Sequence, residues 1–411
     1  MHQFLSEMIF MSEEKLVPKL RFPDFEHNWE SKKLKDLSNI QRGASPRPIT
    51  AKKWYDNENK KVGWVRIGDV TSSSKYLTKT EDYFSEEGVK KSRFLPKGSL
   101  IMSICATIGK PIVTGMDTCI HDGFVGFSEL KNINKEFLYY YLNILEPKFI
   151  SLSQTGSQAN LNSDLVRNAE IGVPSIQEQE KIVNFISAVD KKHNILNKNL
   201  ETQLSFKRYL MQQIFTQKLR FDFNDEWKNI PFKKLLKEVN EKTTVNNQHE
   251  ILSSTKEGIF TQKDYFADRN VASKDNTGYK VLRKNQIVLS PQNLWMGNIN
   301  VNTEFDIGIV SPSYKIYETT DLIDINYFKH IVKLPRLIYE YTCASEQGAS
   351  IVRRNLNKQL FNEITIKVPS LNEQKKIGNL FDTCDEKIKN IDKNIQDMKE
   401  FKKGLLQQMF V

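Results

Sequence analysis

One block of about 46 residues occurs twice in this chain, without gaps and 195 positions apart, as Ile171–Thr216 and Ile366–Val411. A chain that repeats itself on this scale is expected to fold as two copies of one unit. Each block opens on an extended apolar stretch that runs into Val-Pro-Ser-x-x-Glu-Gln. The residues are Val173, Pro174, Ser175, Glu178 and Gln179 in the first copy, and Val368, Pro369, Ser370, Glu373 and Gln374 in the second. Ser followed three residues later by Glu has the spacing of a capping box, in which each side chain satisfies an open backbone N–H of a starting helix. Pro174 and Pro369 stand just outside that helix and fix its start.

Behind each cap, apolar residues recur at alternating spacings of four and three. The first stripe runs Ile182, Ile186, Val189, His193, Leu196, Leu200, Gln203, Lys207, Leu210, Ile214. The second runs Ile377, Phe381, Cys384, Ile388, Ile391, Ile395, Met398, Lys402, Leu405, Met409. A stripe this narrow, set among Lys, Asn, Gln and Glu, is a coiled-coil seam. About 40 residues at 1.5 Å each make a rod of roughly 60 Å. Neither rod buries its seam alone, so the two are expected to pair with each other; the alternative is that each packs on its own globular half. His193, Gln203 and Lys207 break the first seam.

The repeat continues outside the rods. Asn160-Leu161-Asn162 with Leu165 returns as Asn355-Leu356-Asn357 with Leu360. Lys19-Leu20-Arg21-Phe22 with Asp24, Phe25 and Trp29 returns as Lys218-Leu219-Arg220-Phe221 with Asp222, Phe223 and Trp227. The plan is therefore an N-terminal extension (1–17), a globular domain (18–170), a central rod (171–217), a second globular domain (218–365) and a C-terminal rod (366–411). An antiparallel rod pair would separate the two domains and relate them by a pseudo-twofold axis. The fold class expected is mixed α/β (α+β), with two such domains and an antiparallel coiled coil of two long helices.

Inside the domains the copies diverge. Pro96–Ser103 lies where Arg283–Ser290 stands, a basic turn feeding a strand, whereas Ile104–Ile112 and Pro291–Ile299 share little beyond Gly109 and Gly297. A kept scaffold with unlike loops suggests two related modules that read two different targets. Trp64–Ile67, Leu100–Ser103, Ile112–Thr114 and Phe124–Phe127 read as strands. Lys135–Leu145 and Asn326–Tyr341 read as helices, the second kinked at Pro335. A twisted, partly antiparallel sheet with helices on one side follows.

At 411 residues there is room for two or three domains with cores of their own. A net charge of +10 suits a polyanionic partner. Cys105, Cys119, Cys343 and Cys384 are scattered, so no disulfide framework or zinc site is indicated. No apolar run is long enough for a membrane span, and Met1–Phe10 is too short and too polar at its flanks for a signal peptide. A cytoplasmic protein is expected, with Met11 a second candidate start. Catalytic chemistry is hard to place. Gly109-Lys110 lacks the earlier Gly and the following Ser/Thr of a phosphate loop, no Gly-rich nucleotide or methyl-donor turn is present, and His121-Asp122 stands alone.

The loops, by contrast, carry what a DNA reader needs. Arg42, Ser45 and Arg47 lie in a Gly/Pro-stiffened basic loop, followed by Lys52, Lys53 and Trp54. Gly permits close backbone approach, Arg pairs in bidentate fashion with guanine or phosphate, and Lys neutralises the backbone. Arg66, Lys75, Lys90, Lys91, Arg93, Lys110 and His121 extend this set. In the second domain the candidates are Lys256, Lys263, Arg269, Lys274, Asn293, Trp295, Asn298, Ser311, Ser313, Tyr314, Arg353 and Arg354. Asn293 is placed like an adenine reader, whose amide meets N6 and N7.

With Asn160-Leu161-Asn162, Val173-Pro174-Ser175, Glu178-Gln179-Glu180-Lys181-Ile182 and their second copies in view, the chain resembles the specificity subunits of type I restriction-modification enzymes. The likeness runs from near Leu20 to Val411. It implies two target-recognition domains that each bind one half of a split site in double-stranded DNA, with the helices as spacer. It also implies two modification (methyltransferase) subunits and, for cleavage, restriction (endonuclease) subunits as partners. Those partners would hold the S-adenosylmethionine, ATP and Mg sites, and this chain would itself be non-catalytic. The alternative is a stand-alone, two-headed DNA-binding regulator.

Overall fold

The computed structural model describes residues 16–153, 160–266, 273–347 and 354–411. They form two compact units: the chain up to Asn197 with Lys393–Val411, and Lys198–Asp392. This division cuts through both rods, so each unit holds the start of one rod and the end of the other.

The rods are continuous helices, Ile176–Phe215 and Leu371–Met409. In the first unit Ile182, Ile186 and Val189 share a core with Leu405 and Met409. In the second, Leu210 and Ile214 share one with Ile377, Phe381 and Cys384. The start of each rod lies on the end of the other, so the helices run antiparallel. Ile395 is buried, and Leu196, Leu200, Ile388, Ile391 and Met398 are half-buried, as a two-helix seam requires. Of the polar breaks, Lys207 is matched across the rods, as is its repeat mate Lys402. Lys207 pairs with Asp385, and Lys402 with Asp190. Asp190 and Asp385 are repeat equivalents, as are Lys207 and Lys402, so each unit contains the same ion pair with the contributing copies exchanged.

The Glu-Gln that follows each Pro-Ser does not close a capping box. Ser175 Oγ does accept the Glu178 N–H at 3.3 Å. The Glu178 carboxylate, however, turns inward to Arg21 Nε and Nη2, both at 2.8 Å, and to Trp29 Nε1 at 3.2 Å. Glu373 meets Arg220 at 3.1 and 2.8 Å and Trp227 at 3.2 Å in the same way, and Ser370 Oγ is buried without a hydrogen bond among the described residues. Gln179 accepts the Asn134 N–H and donates to the carbonyls of Pro174 and Asn132. Gln374 does the same with Asp324, Pro369 and Leu322. Glu-Gln is thus a latch that fastens the entry segment and the next helix to the start of the rod. Beside it, Glu30–Lys33 pairs antiparallel with Glu170–Val173, and Lys228–Pro231 with Thr365–Val368.

Besides the Glu30–Lys33/Glu170–Val173 pair, the described residues of the first unit form two larger sheets where one was expected. The larger runs in the order Asn39–Arg42, Phe124–Ser128, Leu100–Ser103, Pro111–Thr114, Tyr76–Leu77; the other runs Asp82–Phe84, Val62–Val65, Thr118–Ile120, Arg93–Leu95. The strand expected at Trp64–Ile67 ends at Val65, and Ile67 opens a short helix, Ile67–Ser72. The second unit has a sheet in the order Leu236–Val239, Lys315–Thr319, Ile287–Leu289, Ile299–Val301, with separate pairs Lys280–Arg283/Ile307–Val310 and Leu252–Ser254/Ile259–Thr261. The turns ahead of Leu100 and Ile287 match: Gly98 and Asn285 are both left-handed, at φ of 89° and 63°. Helix Lys135–Ser153 backs the first unit. In the second, Pro335 does not kink a helix but begins a new one, so Ile325–Ile331 and Pro335–Cys343 are separate. Proline suits a first turn, whose N–H groups have no partner in the helix.

His330 is buried where the second unit meets the rod, with Nε2 2.8 Å from Asp382 and Nδ1 3.6 Å from Asp385. Burial lowers its pKa below the ordinary 6.5, against the opposing hydrogen bond to Asp382 and with help from Lys207. The unfolded chain therefore takes up this proton first. The stability contributed is present above pH 6.5 and is lost as pH falls through the lower folded value. His330→Gln is expected to flatten the acid fall of the second unit's thermal midpoint; superimposable pH curves for the two proteins would refute this.

Candidate nucleic-acid interface

In the first unit a glycine brings two loops together. A Cβ on Gly43 would lie 2.0 Å from the His121 carbonyl oxygen, so only glycine lets the basic loop rest on the His121–Gly123 turn. Arg42 Nε donates to the Asp122 carbonyl at 2.6 Å, and Ser45 Oγ donates to Asp122 Oδ1 at 3.1 Å. His121 Nδ1 accepts the Gly123 N–H at 2.9 Å, and its ring lies 5.8 Å from Trp64 and 4.8 Å from Phe124. Burial holds its pKa below the ordinary range; Asp122 opposes the shift and Arg66 adds to it. The structure therefore joins Arg42, Ser45 and His121 in one cluster, with Arg66 close by and paired to Asp82.

Arg47, Lys52, Lys53 and Arg93 are exposed. Trp54 is buried and donates from Nε1 to the Pro48 carbonyl at 2.9 Å, while Lys53 Nζ lies 4.2 Å from the centre of its ring. Trp54 stiffens the loop from below and does not present a face to a ligand. Lys75 is also misplaced as a contact residue. Its ammonium is held by Glu136 and by the Tyr140 hydroxyl at 3.1 Å, and it lies over the Tyr139 and Tyr140 rings. Lys110 Nζ reaches the Thr71 carbonyl at 3.3 Å, away from the cluster's hydrogen bonds.

In the second unit, Asn298 is the clear correction. It is buried, with its amide committed to Ser254: Oδ1 accepts from Ser254 Oγ at 2.8 Å and Nδ2 donates to the Ser254 carbonyl at 2.9 Å. Tyr314 is likewise turned inward, its hydroxyl on the same carbonyl at 3.1 Å. Both fasten the hairpin of Leu252–Ser254 and Ile259–Thr261, which presents Lys256 at the surface; Lys263 is exposed on the short helix Gln262–Phe266 that follows. Lys333, which the sequence does not single out, helps position the same hairpin by donating to the Lys256 carbonyl at 2.8 Å and to Asn300 Oδ1 at 2.6 Å. Asn293 precedes the turn Leu294–Met296 without capping it. In that turn Trp295 carries the Arg354 guanidinium 4.4 Å from its ring centre. Ser311 and Ser313 hydrogen-bond to each other at 3.1 Å, and Lys274 is exposed. Tyr265, exposed and stacked on Phe260 at 5.7 Å, escaped the sequence reading although it follows Lys263 closely. Arg269 and Arg353 lie outside the described residues. Among the described residues no group of His, Cys, Asp and Glu side chains could hold a metal, and no helix is long and apolar enough to cross a membrane.

A twice-built frame with latched rods and unlike surface loops defines a duplicated recognition scaffold. Comparison with known proteins finds relatives for it. Residues 26–205 match the family model of the type I restriction modification DNA specificity domain. The chain is 24% identical to the MjaIX specificity subunit of Methanocaldococcus jannaschii over 50% of its own length and 49% of that protein. It is also 24% identical to the MjaX specificity subunit, classed as putative, of the same organism, over 96% of this chain and 95% of that one. The crystal structure of the type I restriction-modification S subunit from M. genitalium superposes with a TM-score of 0.59 at 16% identity, covering 96% of this chain and 99% of that one. Residues 26–205 thus match that specificity domain, and the chain is similar to a type I restriction-enzyme specificity subunit along almost its whole length.

Proposed function

We propose that this chain is the DNA sequence-recognition subunit of a type I restriction-modification complex. Each globular domain reads one half of a bipartite site, and the paired rods set the gap between the halves. Two modification subunits and, for cleavage, restriction subunits assemble on it and supply S-adenosylmethionine, ATP and Mg chemistry. One contrast carries the reading: the Arg-Trp-Glu latch is built from the same donor atoms in both copies, while the corresponding loops Ile104–Ile112 and Pro291–Ile299 share little beyond one glycine. A frame kept for assembly and loops freed for reading are what two half-sites demand. The net charge of +10 favours a polyanion. The stand-alone regulator has no support among the relatives, which carry the names of restriction-enzyme subunits.

A domain exchange tests the proposal. Replacing Gln41–Ile171 with the corresponding segment of another family member, in cells that also express the modification subunits, is expected to change one half-site in the methylome and leave the other untouched. Both halves changing, or neither, would overturn it.

A further inference from the structure

The second unit contains an apolar groove whose counterpart in the first unit is filled by the chain itself. It lies between the end of the first rod and the helices Ile325–Ile331 and Pro335–Cys343, encloses about 560 Å³ and is floored by Met211, Phe215 and Leu334. In the first unit the corresponding space holds Tyr141, whose hydroxyl accepts the Gly172 N–H at 2.9 Å and donates to the Val411 carbonyl. Phe410 packs there on Phe137 and Tyr141, at centroid distances of 5.1 and 5.4 Å, and its repeat mate Phe215 lies on Tyr327 at 6.1 Å, so Tyr141 is what the second groove lacks. Gln179 and Gln374 accept the N–H groups of Asn134 and Asp324, a register that sets Ile331 where Tyr141 stands, and the 195-residue repeat sets Thr216 and Lys367 where Val411 and Gly172 stand. An isoleucine has neither the ring nor the hydroxyl to close that space, so the second groove stays open.

Its rim has a single sign of charge. The lining includes Arg208, Lys333, Arg336 and Lys367 and no Asp or Glu. Lys333 is turned toward Lys256 and Asn300, which leaves Arg208, Arg336 and Lys367 exposed at the edge. An apolar floor under a cationic edge is complementary to a peptide that offers large apolar side chains together with carboxylates. DNA would satisfy the edge and leave the floor empty. We propose that this groove docks an acidic, apolar segment of a partner polypeptide, its apolar side chains entering over Phe215 and Leu334 and its Asp or Glu side chains meeting the three cations. The inference rests on the reading of this chain as an assembly subunit and adds where one partner holds it.

The test uses the full chain co-purified with its modification subunits, with a photoreactive p-benzoylphenylalanine at Arg336. Irradiation is expected to link that position to one partner segment containing both apolar residues and Asp or Glu. Arg208→Glu with Lys367→Glu, both at exposed positions, should lower the yield about tenfold. Ile331→Tyr, which imports the ring that closes the first unit's groove, should do the same. Links to DNA alone, to a second copy of this chain or to no polypeptide overturn the proposal, as does a yield unmoved by either variant. If the complex assembles and methylates DNA without the link, the groove proposal alone fails; if no complex forms, the subunit reading fails with it.

Discussion

Glu178→Ala is expected to cost the first unit about 3 kcal/mol, more than almost any single substitution away from the apolar core. The carboxylate is buried and takes three hydrogen bonds, from Arg21 Nε, Arg21 Nη2 and Trp29 Nε1. Its removal leaves a guanidinium that is itself only 12% exposed without its counter-charge, and an indole N–H without an acceptor. For a unit of this size about 3 kcal/mol lowers the unfolding midpoint by roughly 6 to 12 °C. In an Arg21→Met background the same substitution should cost much less, because no buried charge is then stranded. Lys181→Ala supplies the control: its partner Asp24 and Lys181 itself are both exposed, so less than about 0.5 kcal/mol is at stake. A midpoint for Glu178→Ala within 2 °C, roughly, of wild type would show that the latch contributes little.

The second large effect concerns the rods. Inserting four residues at matched points in both is expected to move the methylated sites to a longer gap while leaving both half-sequences as they were. Four residues add about 6 Å of helix against about 3.4 Å per base step, so an increase of one or two base pairs is anticipated. Insertion in both rods keeps Lys207 on Asp385 and Lys402 on Asp190, provided that it falls between those pairs. Sequencing of the methylated sites reads the outcome directly; the original gap, restored or unchanged, would end the spacer reading.

Much of this architecture was legible from periodicity. The seam positions and the strands Leu100–Ser103 and Ile287–Leu289, each behind its basic turn, sit where the repeat and its spacing place them. The latch was not legible, although its residues were in plain view. Glu three residues after Ser suits a capping box as well as it suits a buried ion pair, and what decides between them is Arg21, 157 residues away in sequence. Candidate contacts failed for the same reason. Lys75 and Asn298 look like free polar side chains until the fold supplies Glu136 and Ser254 as partners. Ser45, by contrast, is held on the His121-Asp122 turn, where chain stiffness and one glycine position it.

The exchanged ion pairs bear on how such a chain changes over generations. Each pair takes its Asp from one copy and its Lys from the other. A charge reversal at one codon is therefore opposed at once by an unaltered residue in the distant copy. Copying that reversal between the repeats does not repair it: with both Asp positions turned to Lys, both pairs become repulsive. Relief needs compensating changes at the Lys positions as well. The rods are in this sense each other's proofreaders.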